Sequence, residues 1–284
     1  MVTTTVGRKR LGIELRKLRE RKELTNLQAA QHIGVSEATL SRIETGKRFA
    51  KPAELRALME LYGVSDTQQQ ERFQAMSKIA VEESWWDEYD DVLPSGLDSY
   101  MGFESEAVAL RSYDDQLLHG LLQTEDYART VIHASRPRAP KEVVARLTEL
   151  RMQRKHVLER EPALKLWNII DESVLRRPVG GPAVMAAQLR HLAALAELPN
   201  LTVQVLPFAR GAHVAMSGPF MLLEFDDPQD CNQLYLDAPT GNIFIQKREV
   251  VTEFRERFDL LNAAAMAPEE SLSLIIAIAE DYAR

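Results

Sequence analysis

The chain has 284 residues and a mass of 32.2 kDa, which predicts about two domains at roughly 150 residues each. Its composition, 45% hydrophobic and 27% charged, excludes disorder and collagen-like repeats for the bulk of the chain. The single cysteine, Cys231, excludes an intramolecular disulfide, and no apolar run reaches the ~20 residues of a membrane span, so we expect a cytoplasmic protein.

The net charge of −7 is unevenly distributed along the chain. Residues 1–60 hold 13 Lys and Arg against 7 Asp and Glu, a net +6, whereas the remainder holds 22 against 35, a net −13. A basic segment joined to an acidic body indicates a polyanionic partner for the first segment. The alternative is that the charges are unevenly distributed by chance. The spacing of residues has to decide between this alternative and a polyanionic partner.

The N-terminal residues carry the pattern of five short helices. We predict them over residues 7–21, from the cap Thr25 to near Ile33, from the cap Ser36 to Glu44, from Pro52 to before Gly63, and over 68–83. These elements predict a compact all-α domain over residues 1–82.

The stretch TNLQAAQHIGVSEATLSRIE, residues 25–44, has the spacing of two helices that cross at a steep angle. Ala30 supplies a small residue where the helices touch, and Gly34 supplies the turn between them. The outer face of the second helix is then free to enter a DNA major groove, which is about 12 Å wide. The residues on this face, our candidates for base contacts, are Glu37, Ala38, Thr39 and Arg42.

This stretch, together with SRIETGKR at residues 41–48, resembles the helix-turn-helix of the Xre and phage-repressor family over about residues 8–65. The resemblance implies double-stranded DNA as a partner and a partly buried ion pair between Arg19 and Glu44. It also implies that Thr25, Asn26, Lys47 and Arg48 contact DNA phosphates. We add Ser41 to this set of predicted phosphate contacts. The chain departs from the family pattern at Asn26, Leu27 and Ala29.

Two kinds of charged residue in this motif have a second interpretation. Glu37 either accepts a hydrogen bond from cytosine N4 or is a solvated carboxylate that favours the positive start of its helix. Arg42, Lys47 and Arg48 either contact DNA or are ordinary solvated surface charges.

An acidic and aromatic segment follows, and we predict a hinge over residues 83–106. Residues 82–106 hold nine acidic residues and no Lys or Arg. Trp85, Trp86 and Tyr89 are expected to dock on the protein, because each aromatic side chain buries much apolar area. The alternative is that these aromatic side chains stack on the bases of single-stranded nucleic acid. The surrounding acidic residues disfavour it, because they would repel the phosphates.

The remaining residues, 107–284, predict an α+β domain with a mainly antiparallel sheet. Helical patterns cover about residues 102–135, 141–160, 181–197, 249–265 and 269–282. Strand-like runs cover residues 164–170, 202–206, 220–225, 233–237 and 243–246. The runs from 202 to 246 have hairpin-like spacing, which favours antiparallel pairing.

We find no catalytic or metal-binding signature in this domain. The six histidines are scattered, and one cysteine is too few for a standard zinc set. Asp171 and Glu172, at the end of a strand, are a candidate acid pair for proton transfer, but a solvated loop or a structural salt bridge is the favoured interpretation. We therefore expect no enzyme activity, no cofactor and no metal.

Several phrases of this domain, among them HGLLQTEDYART at residues 119–130 and DESVLRRPVGG at 171–181, resemble the uncharacterised C-terminal domain of actinobacterial Xre-type regulators. The resemblance covers about residues 85–282 and implies an antitoxin-like regulator, frequently encoded beside a small partner protein. The chain departs from it at His119, where the family usually has Pro. Pocket or interface candidates, with core and turn positions as the alternative, are Leu121, Leu122, Gln123, Tyr127 and Phe220.

Together these patterns predict a homodimeric transcriptional regulator that binds a pseudo-palindromic operator. Its C-terminal domain is expected to sense a small molecule or a small partner protein. Dimerisation is expected because one small recognition helix contacts too few bases for specific affinity. The alternatives are an antitoxin that neutralises a neighbour-encoded partner and an enzyme with a DNA-binding appendage.

Overall fold

The computed structural model describes residues 6–46, 48, 50–67, 69–71, 73–74, 85–94, 96–226, 232–237 and 242–284. The chain divides into two compact units, residues 1–88 with 96–106 and residues 89–95 with 107–284. The first unit is helical and the second is α+β, so the predicted fold class is confirmed. The domain boundaries that we placed at residues 82 and 106 stay a prediction.

The described helices of the first unit are α1 (Val6–Arg21), α2 (Asn26–His32), α3 (Glu37–Glu44), α4 (Pro52–Tyr62) and α5 (Leu97–Glu106). The first four lie where the sequence predicts them, each within about two residues. The fifth predicted helix, over residues 68–83, lies largely outside the described residues. The buried side chains of α1, α3 and α4 form the core of this unit, and they include Leu15, Leu40, Ile43 and Leu58.

Helix α1 passes so close to the end of α3 that Gly12 has no room for a side chain. A Cβ at Gly12 would lie 2.4 Å from the carbonyl oxygen of Ile43 and 2.6 Å from that of Glu44. Because both atoms belong to the backbone, they cannot move aside without shifting α3.

We expect Gly12→Ala to destabilise the first unit by about 1–3 kcal/mol, the usual cost of overpacking, although alanine favours helix. Hydrogen exchange of the α1–α4 amides in the full chain measures this loss. The control is Ile13→Ala at the neighbouring, exposed position. Equal exchange in the two variants would contradict the close approach.

The second unit contains six described α-helices and six described strands, besides short 3-10 turns. The helices are α6 (Glu125–Ser135), α7 (Lys141–Arg154), α8 (Glu172–Arg176), α9 (Pro182–Leu195), α10 (Arg248–Ala264) and α11 (Pro268–Tyr282). The strands are β1 (Ala109–Asp114), β2 (Lys165–Asp171), β3 (Leu201–Leu206), β4 (Phe220–Glu224), β5 (Gln233–Leu236) and β6 (Ile243–Ile245). Strands β2–β6 lie within about one residue of the predicted runs.

The strands form one mixed sheet in the order β3-β2-β1-β4-β5-β6. Strand β1 pairs in parallel with β2, and β2 with β3, whereas the β1–β4, β4–β5 and β5–β6 pairs are antiparallel. The hairpin-like spacing therefore identified the antiparallel half of the sheet. It did not identify the parallel half, in which β3 joins β2 and not β4.

The helical pattern predicted over residues 102–135 is confirmed at its two ends, in α5 and α6, and is wrong between them, because residues 109–114 form β1. This strand lies between β2 and β4, so both of its edges are paired. Its sequence, ALRSYD, buries Leu110, Ser112, Tyr113 and Asp114, and the two buried polar residues obscure the apolar alternation that marks a strand. Pairing with neighbours in the sheet overrides the local pattern here.

Helices α10 and α11 pack on different parts of the sheet. Phe258 and Leu261 of α10 join the apolar cluster on the face that carries Tyr113. The Ser271 hydroxyl of α11 accepts a hydrogen bond from the backbone nitrogen of Val205 in β3, at 2.9 Å. No single described helix is long and apolar enough to span a membrane, and α10 and α11 pass that test only as a pair bent by 69°.

Candidate nucleic-acid interface

Helices α2 and α3 form a helix-turn-helix whose ends are fixed by capping bonds. The Thr25 hydroxyl accepts from the backbone nitrogen of Gln28 at 3.2 Å, and Oε1 of Gln28 accepts from that of Thr25 at 2.8 Å. The Ser36 hydroxyl accepts from the backbone nitrogen of Thr39 at 3.2 Å. Gly34 has a φ of +72°, the left-handed conformation that the turn requires. These contacts fix the direction in which α3 leaves the turn.

The outer face of α3 is polar, and the inner face fills the core. Leu40 and Ile43 are buried. Neither the Glu37 carboxylate nor the Arg42 guanidinium has a hydrogen bond or ion pair with the part of the chain that the structure describes. Four neighbouring positions are exposed, namely Glu37, Ala38, Ser41 and Arg42. The helix therefore presents a continuous surface that carries one carboxylate and one guanidinium, neither of which is bonded to a described residue.

The remaining predicted contacts differ in how much of each side chain is available. The Thr39 hydroxyl lies 2.8 Å from that of Ser36, and the Thr25 hydroxyl caps α2, so both are already bonded within the motif. The amide nitrogen of Asn26 is 3.4 Å from Oε2 of Glu44. Its oxygen is buried and accepts no hydrogen bond from a described residue. The roles of these residues in DNA contact stay predictions.

Arg48, another predicted phosphate contact, is held by Glu54. Its two terminal nitrogens donate to the two carboxylate oxygens, each at 2.9 Å. Burial opposes ionisation of Glu54, but the bonds from Arg48 and from the Lys51 backbone outweigh it and keep the pKa of Glu54 below its ordinary value. A phosphate would therefore share Arg48 with Glu54. Lys47 lies outside the described residues.

Arg19 and Glu44 form the ion pair that the family resemblance implies. Nε of Arg19 donates to Oε1 at 2.6 Å, and a terminal nitrogen donates to Oε2 at 2.9 Å. The other terminal nitrogen donates to the carbonyl of Leu24 at 2.8 Å. The bond to Glu44 raises the pKa of Arg19 above its ordinary value, although burial opposes the rise. The pair ties α1 to the end of α3.

A depression of about 500 Å³ opens between α1, the start of α2 and α3. It brings predicted base and phosphate contacts together, and its lining residues are Arg16, Arg19, Asn26, Glu37, Ala38, Ser41 and Glu44. Arg16 is the residue that the sequence analysis missed. It lies three positions before Arg19, close to one helical turn, and this spacing is the signal that would have placed it on the same side of α1.

The residues predicted to line a pocket or an interface in the second unit lie in its interior. All five candidates are buried, namely Leu121, Leu122, Gln123, Tyr127 and Phe220. The Gln123 amide donates to the carbonyl of Leu118 at 2.7 Å, and the Tyr127 hydroxyl accepts from the backbone nitrogen of Leu118 at 3.2 Å. Phe220 packs beside Tyr113. These side chains are occupied by internal contacts, and their role as a binding surface stays a prediction.

The candidate acid pair at the end of β2 has structural partners. The Asp171 carboxylate accepts from the backbone nitrogen of Ser173 at 2.9 Å and caps α8. Glu172 pairs with Arg176 at 2.7 Å and accepts from the backbone nitrogen of Phe208 at 2.9 Å. These contacts support the structural interpretation of both carboxylates.

Two family models match the chain. The first is described as a helix-turn-helix domain and matches residues 10–71. The second is described as a domain of unknown function, DUF5753, and matches residues 97–277. No curated protein and no solved structure matches. The first match contains α2, α3 and the depression beside them, and the second assigns no activity to the residues that it covers.

Proposed function

Because the chain belongs to the family defined by the domain of unknown function DUF5753 and carries a helix-turn-helix domain ahead of it, we propose that it is a sequence-specific transcriptional regulator that binds double-stranded DNA. In the finer form of this proposal the helix-turn-helix is of the Xre type. The DUF5753 domain senses a small molecule or a small partner protein and has no enzymatic role. The protein acts in the cytoplasm.

The observation that carries this proposal is the exposed outer face of α3, on which no described residue bonds to the side chains of Glu37 and Arg42. Arg42 offers a planar set of donors that matches the acceptors of guanine, and Glu37 offers an acceptor for the amino group of cytosine. The net charge of +6 over residues 1–60 supports attraction to the DNA backbone. The core contacts of Leu40 and Ile43 hold this face rigidly outward.

We further propose that the protein binds as a homodimer. One eight-residue helix reaches only a few base pairs, whereas specific complexes need a larger contact area. Two helices related by a two-fold axis would read half-sites about one helical turn apart, or a multiple of that spacing. The operator would then be a pseudo-palindrome.

The test is fluorescence anisotropy with the DNA upstream of the gene for this protein, over a salt series. Arg42→Ala should weaken binding to the preferred site by about 1–3 kcal/mol, because a base contact is lost. Arg56→Ala is the matched control, since Arg56 is an exposed arginine on α4, outside the helix-turn-helix. Titration at high DNA concentration gives the stoichiometry, which we expect to be two chains per duplex.

Equal losses in the Arg42 and Arg56 variants would contradict the assignment of α3 as the reading helix. Wild-type protein that prefers neither this DNA nor any member of a random duplex library would contradict sequence-specific binding. A stoichiometry of one chain per duplex would contradict the dimer.

A further inference from the structure

The depression in the first unit runs along one side of α3, the helix that we propose to enter the major groove. Its α3 wall includes Ala38 and Ser41, which are both exposed. A major groove about 12 Å wide is nearly filled by one helix with its side chains, whose diameter is about 10–12 Å. The sugar-phosphate strands that border the groove therefore meet the surface immediately beside α3. The depression is such a surface, since it opens between α3 and α1.

Arg16, on the α1 wall of the depression, keeps hydrogen-bond donors available. Its Nε donates to Oε1 of Glu20 at 2.8 Å. Neither terminal nitrogen of its guanidinium bonds to a residue that the structure describes, and 59% of the side chain is exposed. Glu20 therefore holds the guanidinium by one nitrogen and leaves the other two for a ligand. A pair of terminal guanidinium nitrogens matches the spacing of two phosphate oxygens.

The second arginine that lines the depression, Arg19, is already bonded. All three of its nitrogens donate within the first unit, to the Glu44 carboxylate and to the carbonyl of Leu24. Because Arg19 and Glu44 neutralise each other, the remaining charged side chains that line the depression are those of Arg16 and Glu37. Without Arg16, the Glu37 carboxylate would be in excess there and would repel a phosphate. The binding of a phosphate in the depression therefore depends on Arg16.

From this arrangement we infer that Arg16 binds a backbone phosphate of DNA in the depression, through its two terminal nitrogens, while Glu20 retains Nε. Ser41, which lines the same depression from α3, donates its hydroxyl to the same phosphate. The inference rests on the proposed function, since it requires α3 to lie in the major groove. It adds a contact from α1, outside the helix-turn-helix, that anchors the first unit on DNA without reading the base sequence.

The test is fluorescence anisotropy of the full chain and its Arg16→Ala variant over a salt series, on the preferred duplex and on a duplex of unrelated sequence. The variant should bind both duplexes about tenfold more weakly at low salt, because a hydrogen-bonded charge pair is lost. Its salt slope should fall by about one, which is the contribution of one phosphate contact. The ratio of its affinities for the two duplexes should equal that of wild type, since a phosphate carries no sequence information.

Lys17→Ala is the matched control, because it removes the same charge from the next position of α1. Lys17 is 52% exposed and pairs with Glu14 at 2.9 Å, and it points about 100° away from Arg16 around the helix. Its substitution should cost less than about threefold in affinity and leave the salt slope unchanged, since salt screens a charge that contacts no phosphate.

A neutral methylphosphonate, placed at one position of the preferred duplex at a time, identifies the phosphate. At the contacted position wild type should lose affinity, whereas Arg16→Ala should lose nothing further. A change in the fold of the variant would instead lower its affinity without such coupling to any one position.

Equal losses in the Arg16 and Lys17 variants, or an Arg16 loss that no methylphosphonate position abolishes, would overturn the inference and leave the proposed DNA binding intact. A loss confined to the preferred duplex would also overturn it, because it would indicate a base contact. Wild-type protein that binds no DNA would contradict the proposed function, and the inference with it, and that result is visible in wild type alone.

Discussion

Glu44→Gln is expected to destabilise the first unit by about 3–5 kcal/mol, because it removes the bidentate counter-charge of the buried Arg19 guanidinium and leaves it beside the exposed Glu20 at 4.0 Å. The pair has bidentate geometry, with bonds of 2.6 and 2.9 Å, and the side chains of Arg19 and Glu44 are only 11% and 5% exposed. A loss of this size is a large fraction of the stability of a small domain. Hydrogen exchange resolved by peptide measures it in the full chain, since the α1–α4 amides report on the first unit separately from the second.

The matched control lies on α1 itself. Lys17 and Glu14 form an ion pair at 2.9 Å with 52% and 24% of their side chains exposed, so Glu14→Gln should cost less than about 1 kcal/mol. The double substitution Arg19→Met with Glu44→Leu should recover most of the loss, because removing both charges leaves neither one buried alone. An effect of Glu44→Gln no larger than that of Glu14→Gln would show that the pair is hydrated and weak.

The fold of the first unit could be predicted from sequence because its signals are local. Thr25 and Ser36 cap the helices that follow them, and Gly34 adopts the left-handed turn, as their residue types predict. A contact such as that between Gly12 and the backbone of Ile43 is different, because it depends on how two helices cross. A glycine within a helical pattern carries no local sign of the element that it touches.

The second unit shows the same division between local and long-range information. Strands β4, β5 and β6 follow one another along the chain and were predicted with nearly correct bounds. Strand β1 was missed because its partners are distant in sequence, as in the pairing of Leu110 with Leu166 and with Leu223. The buried Ser112 and Asp114 are bonded across strands, which no periodicity of β1 alone indicates.

The candidate interface was predictable only in part for a related reason. Helical spacing identifies Glu37, Ala38 and Arg42 as outward-facing, but it cannot show which side chains are already bonded. Thr39 is bonded to Ser36, and Arg48 is bonded to Glu54 six positions later. These contacts depend on rotamers and on the path of the chain after α3, so they emerge only from the folded unit.

Asp114 is an acid buried between strands, and the part of the chain that the structure describes places no cation beside it. Its carboxylate accepts a bond from the Asn168 amide at 2.6 Å, and that amide also donates to the Ser112 hydroxyl at 2.7 Å. Burial raises the pKa of Asp114 from 3.8 to about 7, and the negative charge of Asp115 adds to the rise. The bonds from Asn168 and Ser112 oppose the rise but do not cancel it.

Asp114→Asn should therefore stabilise the second unit above about pH 7, by about 2–4 kcal/mol, because the wild-type pKa of about 7 lies well above the ordinary 3.8. The folded pKa exceeds the unfolded one, so the folded state binds more protons between pH 3.8 and about 7. The contribution of Asp114 to stability consequently falls as pH rises through this window and stays low above it. Urea unfolding followed by circular dichroism, in steps from about pH 5 to pH 8, should show a gain for the variant that grows with pH. The control is Asp281→Asn, which removes an exposed carboxylate on α11 and should show no such trend. A gain for Asp114→Asn that does not change with pH would contradict the prediction, because the wild-type carboxylate would then ionise as freely in the folded chain as in the unfolded one.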